Sequence, residues 1–98
     1  MKIKFSSPQE LGRLVRATRK AARLRQDDAA GGIGVSDVFL GRLENGAPGA
    51  RLDKVLQVLR ELGVDVYADV TEQVEATYRA LASATQRPSK RSAKPNHE

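Results

Sequence analysis

Between Gln26 and Asn45 the sequence leaves room for two short helices and one sharp bend, and this stretch constrains the fold more than any other. Asp27 and Asp28 favour a helix start, because carboxylates near a helix N-terminus offset the peptide dipoles, and Ala29-Ala30 are small enough for close packing. The first helix is read as Gln26 to Gly32; Gly31 and Gly32 each weaken it by about 1 kcal/mol relative to alanine, which predicts an early or loose end. Ile33-Gly34-Val35 follows. Gly34 tolerates positive φ, and the flanking Ile33 and Val35 can point into a core. Ser36 caps the second helix, Asp37–Asn45, in which Val38 or Phe39, with Leu40 and Leu43, supplies buried contacts before Asn45-Gly46 ends it.

The surrounding chain supplies elements for this pair to pack against. Ser7-Pro8-Gln9-Glu10 predicts a helix start: Ser7 caps, Pro8 suits the first helical position, and Glu10 completes a capping box. Leu11, Leu14, Val15, Thr18, Ala21 and Ala22 keep helical spacing with arginines on the other side, predicting a helix over roughly Pro8–Arg23. After the loop Ala47-Pro48-Gly49-Ala50, an apolar stripe of Leu52, Val55, Leu56, Leu59 and Leu62 forms the clearest helix, closed by Gly63. The period then changes: Val64, Val66, Ala68 and Val70 alternate with Asp65, Tyr67 and Asp69, which is strand spacing. A lone strand is unstable. It either pairs with the same strand of a second copy, as an intersubunit sheet, or lies extended on its own helices; Lys2–Phe5 is the other strand candidate. Thr71–Thr85 can form a further helix with Val74, Thr77, Tyr78 and Leu81 on one side. From Gln86 onward Arg87, Lys90, Arg91 and Lys94 mix with proline and serine, a composition expected to be disordered. The reading is a mainly α protein of four to five helices with a C-terminal β-strand: a helical domain over 1–63, a dimerisation strand over 64–70, a helix over 71–85 and a basic tail over 86–98.

Composition narrows the function. The 98 residues contain 17 Lys plus Arg against 12 Asp plus Glu, a net charge of +5, which favours polyanions through counterion release. The charge is uneven: Arg13, Arg16, Arg19, Lys20, Arg23 and Arg25 crowd one early segment. Cysteine is absent, so disulfides and thiolate metal sites are excluded. No apolar run approaches the ~20 residues that span a bilayer, and Met1-Lys2-Ile3-Lys4-Phe5 lacks the core of a signal peptide; a cytoplasmic protein with no membrane partner is expected. Catalysis is not expected either. His97 is the one histidine and sits in the tail, and Gly31-Gly32-Ile33-Gly34 follows no strand and precedes no P-loop lysine. No cofactor or metal is called for.

Two short helices joined by Ile33-Gly34-Val35, the second opening on Ser36, match the helix-turn-helix geometry, which projects the start of its second helix into a DNA major groove. At residue level, Leu24-Arg25-Gln26-Asp27-Asp28-Ala29-Ala30, Ile33-Gly34-Val35-Ser36 and Leu40-Gly41-Arg42-Leu43-Glu44-Asn45-Gly46 resemble the Cro/repressor (Xre) family over about Leu11 to Leu62. The resemblance implies a lambda-repressor-like bundle that binds double-stranded operator DNA as a homodimer. It implies that Arg19, Gln26 and Asn45 grip phosphates, and that Arg19 also forms an ion pair with Glu44. It places base readers at Ser36, Asp37, Val38 and Arg42: Arg42 for guanine, Asp37 for a cytosine amino group, Val38 for a thymine methyl. Asp37 reads equally as a first-turn anion, Gly41 removes one contact, and Phe39 reads as core. A narrower resemblance, from Arg51-Leu52-Asp53-Lys54-Val55-Leu56 through Leu62-Gly63-Val64-Asp65-Val66, is to HipB-type proteins. In that branch a strand after the fourth helix builds a two-chain sheet, which implies dimerisation through Val64, Val66, Ala68 and Val70. The branch also implies an autorepressing antitoxin with a HipA-type kinase toxin as partner; the alternative is a stand-alone Xre-type regulator.

Overall fold

The computed structural model describes residues 1–86, in five helices: α1 (Pro8–Ala21), α2 (Gln26–Ile33), α3 (Asp37–Glu44), α4 (Leu52–Glu61) and α5 (Glu72–Gln86). Of the basic tail expected over 86–98, Gln86 is the last residue of α5 and the rest lies outside the described residues. Two compact units are present, Met1–Val66 and a second beginning at Tyr67.

In the first unit α3 packs against both α1 and α2, and α2 also meets α4. The core is Val15 of α1, Ala29, Ala30 and Ile33 of α2, Leu40 and Leu43 of α3, and Val55, Val58 and Leu59 of α4. Leu11, Val35, Phe39, Leu62 and Val64 pack against its edge, so Phe39 takes the core role read for it. The residues come from four helices because none is long enough to bury an apolar face alone. Gln57 adds a polar tie, donating from Nε2 to the Ile33 carbonyl at 3.0 Å, which satisfies an acceptor at the end of α2.

The helix ends explain the element lengths. Ser7 Oγ accepts from Glu10 N at 3.1 Å, as the cap requires. The return half of the capping box differs: the Glu10 carboxylate accepts from Ser6, at 2.7 Å from its backbone N and 3.2 Å from its Oγ, one residue earlier than expected. The helix over α2 does not stop at Gly31-Gly32 but runs to Ile33. It is closed by Gly34 at φ 97°, with the amides of Gly34 and Val35 both returning to the Ala30 carbonyl, at 2.9 and 3.0 Å. That closure, together with burial of Ala30 and Ile33, outweighs the modest cost of two exposed glycines. α1 ends at Ala21, two residues before Arg23, because Arg23 adopts φ 60° and forms the same kind of closure, Leu24 N to Arg19 O at 3.2 Å. A non-glycine residue in this left-handed conformation costs about 1 kcal/mol.

The strand expected over 64–70 is not formed within a single copy of the chain. Among the described residues there is no β-strand, and this segment has no regular structure. Val64 is drawn into the first unit: its amide donates to Leu59 O at 2.8 Å to close α4, and its side chain packs on the core. Val66, Ala68 and Val70 stay exposed, Val66 at 50 % and Val70 at 49 %. The physical reason is that strand geometry needs a ladder of inter-strand hydrogen bonds, which one copy of this segment does not supply.

In the second unit Thr71 starts α5, its Oγ1 accepting from Val74 N at 3.3 Å, and Glu75 pairs with Arg79 one turn on at 3.1 Å. Val74, Tyr78 and Leu81 are exposed on it, at the spacing of one helical side.

α1 reaches α3 only because residue 12 is glycine. A Cβ there would lie 2.5 Å from Leu43 O and 2.6 Å from Glu44 O, both rigid backbone. Gly12→Ala is therefore expected to lower stability by about 2–3 kcal/mol, the range of a strained overpacking, in urea unfolding; a loss under about 0.5 kcal/mol would show that the two helices are not in this contact.

Candidate nucleic-acid interface

The site is built around α3. Its rear is held by one buried ion pair: Arg19 Nε donates to Glu44 Oε2 at 2.6 Å, and Nη2 to Oε1 at 2.9 Å. The two side chains retain only 10 % and 3 % exposure. Arg19 Nη1 also donates to the Leu24 carbonyl at 2.9 Å, so one guanidinium ties the last turn of α1 to the α1–α2 turn and to the end of α3. Glu44 needs this partner. A carboxylate at a helix C-terminus faces the negative end of the peptide dipoles, and burial without a counter-charge would be costly.

Gln26, the first residue of α2, joins the cluster. Its Nε2 donates to Glu44 Oε1 at 3.2 Å, and its amide lies over Gly41, where a Cβ would sit 3.4 Å from Oε1. Sequence reasoning assigned Gln26 to a phosphate and treated Gly41 as a missing contact. The geometry adds a second role to each: Glu44 orients the Gln26 amide, and Gly41 leaves the space it occupies. Arg19 forms the ion pair with Glu44, but the phosphate contact expected of it is corrected: every guanidinium nitrogen is engaged within the fold, and Arg19 faces inward.

The front of α3 is open. Ser36 caps it, its Oγ accepting from Phe39 N at 3.0 Å, which leaves the hydroxyl proton free to donate. Asp37 lies in the first turn and is exposed, and so are Arg42 and Val38, the latter at 66 %. Asn45 is the exposed C-cap residue. Ser36, Asp37, Val38 and Arg42 thus share the open part of α3, whereas Gln26 and Asn45 border it at the α2 start and the α3 end. Beside α3 runs a groove lined by Val38, Phe39, Arg42, Pro48, Arg51 and Lys54. Its rim cations Arg51 and Lys54 escaped the sequence reading because the α3–α4 loop brings them round only in three dimensions; Arg51 is held by Asp53 at 2.7 Å.

Burial pushes the Glu44 carboxyl upward and is the largest single influence on it. The hydrogen bonds from Arg19 and Gln26, with the charges of Arg19 and Arg16, outweigh burial together and hold it below the ordinary carboxylate value.

The family model described as "Helix-turn-helix domain" matches residues 10–74, and the chain belongs to that family. It is 46 % identical over 66 residues, 67 % of its length and 87 % of the relative's, to an uncharacterized HTH-type transcriptional regulator, y4mF, of Sinorhizobium fredii. Among solved structures it resembles HipB in a HipA-HipB-O2-O3 complex, with TM-score 0.64 and 21 % identity over 72 % of this chain and 100 % of that one. A HipB-O4 20mer complex matches at TM-score 0.64 and 20 % identity, again over 72 % and 100 %. The clp gene regulator ClgR from C. glutamicum matches at TM-score 0.55 and 20 % identity, over 86 % and 100 %. The protein is a helix-turn-helix chain of the Xre type with a HipB-like fold.

Because the folded-state pKa of Glu44 is depressed, its ionisation stabilises the fold above the usual carboxylate range, and that contribution disappears as pH falls through the folded value. Glu44→Gln is expected to lower stability at neutral pH and to flatten the loss on acidification. Denaturation midpoints across the acid range that follow the same pH profile in both proteins would refute the assignment.

Proposed function

We propose that this chain is a sequence-specific DNA-binding transcriptional repressor that acts as a homodimer. The observation that carries the reading is the two-sidedness of α3: its rear is clamped by Arg19 and closed against Gly12, while Asp37, Val38 and Arg42 stand exposed on the other side. Each subunit inserts α3 into a major groove, with half-sites one turn, ~34–36 Å, apart or a multiple of it. Arg42 pairs with a guanine, Val38 meets a thymine methyl, and Asp37 either accepts from a cytosine amino group or serves the helix dipole. Ser36 adds a donor. Gln26 and Asn45 hold phosphates on either side, and Arg19 supports Gln26 through Glu44.

Within this reading the chain is a HipB-like antitoxin that represses its own operon and neutralises a HipA-type kinase toxin. Support comes from a fold that matches the whole length of a chain in a HipA-HipB-O2-O3 complex. A stand-alone Xre-type regulator is the second reading, favoured by the relative described only as an HTH-type transcriptional regulator. A kinase-like neighbouring reading frame whose product co-purifies with this chain supports the first, and a chain with no such neighbour supports the second. Dimerisation is assigned to the segment carrying Val64, Val66, Ala68 and Val70, of which the last three are exposed and available to a second copy.

Selecting bound sites from random duplexes with the full chain tests the DNA reading. A recurring inverted repeat is expected, and Arg42→Ala should relax preference at one base pair per half-site, a cost of about 1–3 kcal/mol; unchanged discrimination would remove Arg42 from the readers. Val66→Pro, which removes a ladder donor, should turn dimers into monomers in sedimentation. A persistent dimer would refute pairing through this segment.

A further inference from the structure

We propose that α1 carries a second polyanion-binding surface, Arg13, Arg16 and Lys20, which runs along the DNA backbone beside the contacts made by α3. It rests on the DNA-binding reading and extends it to residues outside the helix-turn-helix.

The first observation is a contrast in how the cations are partnered. Four surface arginines elsewhere each have a carboxylate close by: Arg25 with Asp27 at 3.2 Å, Arg51 with Asp53 at 2.7 Å, Arg60 with Glu61 at 3.9 Å and Arg79 with Glu75 at 3.1 Å. Arg13, Arg16 and Lys20 are all exposed and form no ion pair among the described residues. Exposed lysines and arginines are ordinary. Three in a row with no ion pair, Arg13 only feeling the charge of Glu10 a turn before it, are less so, since like charges a turn apart destabilise a helix.

The second observation is spacing. Positions 13, 16 and 20 fall on one side of a helix and span about 10 Å along its axis at ~1.5 Å per residue. Each strand of duplex DNA carries a phosphate per ~3.4 Å of its axis, so the stripe is long enough to meet about three.

The third observation is location. Gly12 lies against the Leu43 and Glu44 carbonyls, and Arg19 grips Glu44, so this flank of α1 adjoins the end of α3. Arg16 follows Gly12 by four residues and precedes Arg19 by three, which puts it at the border of that flank; its charge also acts on Glu44. The middle of the stripe, Arg16, therefore lies toward Glu44, with Arg13 and Lys20 before and after it along α1.

The test is the salt dependence of binding by the full chain to a random-sequence duplex of about 30 base pairs, read by anisotropy, where each phosphate contact adds ~0.9 to the slope of log K against log salt. Arg13→Gln/Arg16→Gln/Lys20→Gln should flatten the slope by about 2–3 per subunit, about 5 for a bound homodimer, and Arg13→Lys/Arg16→Lys should keep it, with thermal melts verifying that both variants fold. On a selected operator the triple variant should bind more weakly while its ratio of operator to random binding stays the same. A slope equal to that of the unaltered chain would overturn the proposal and leave the DNA reading standing. So would an unchanged slope accompanied by lost binding to polyglutamate, which would reassign the stripe to an acidic protein. An unaltered chain that binds no duplex at low salt would end both.

Discussion

The Arg19–Glu44 pair holds together parts of the chain that local sequence preference would leave independent. Its guanidinium reaches the end of α3, the turn after α1 and, through Glu44, the first residue of α2. Three short helices, of 14, 8 and 8 residues, meet at this cluster. Helices of about 8 residues are not stable alone in water, so their persistence depends on tertiary contacts of this kind. Paired charges in a buried setting are a weak source of net stability but an effective source of geometry, because a mispaired arrangement would leave a charge desolvated and alone.

That geometry gives α3 two unlike sides. Leu40 and Leu43 anchor it to the core, and Glu44 locks its end, so the helix cannot roll without breaking apolar and ionic contacts at once. Ser36 fixes its start through a cap, and Gly34 turns the chain so that α2 and α3 meet at an angle. What remains for solvent is a short row of chemically different groups: a carboxylate, an aliphatic branch and a guanidinium. A row of that kind on a rigid support suits the edges of base pairs, whose donor, acceptor and methyl patterns differ from one to the next.

Much of this was legible in the residues because it is encoded locally. The Ile33-Gly34-Val35 bend, the Ser36 cap and the apolar spacing of Leu52 to Leu62 each act within one or two turns. The misses have physical causes. Arg23 takes a conformation that glycine usually marks, so nothing in the sequence signalled the end of α1 at Ala21. Gly31-Gly32 looked like a break because their cost is local, while the burial of Ala30 and Ile33 that opposes it is tertiary. The hydrogen bond from Gln26 to Glu44 joins residues 18 apart, and no spacing rule reaches that far. The alternation over 64–70 is real, yet no strand to pair with it lies among the described residues, and Val64 packs on the core instead.

The central claim is that the open side of α3, held from behind by the Arg19–Glu44 pair, is the surface that meets DNA. Amide chemical shifts of the isotope-labelled full chain, followed while a duplex carrying a selected site is titrated in, test it most directly. The account predicts the largest changes at Ser36 to Arg42 and at Gln26, with little change at the core-facing Val55, Val58 and Leu59. Changes centred on α4 or α5, with Ser36 to Arg42 undisturbed at saturation, would contradict it.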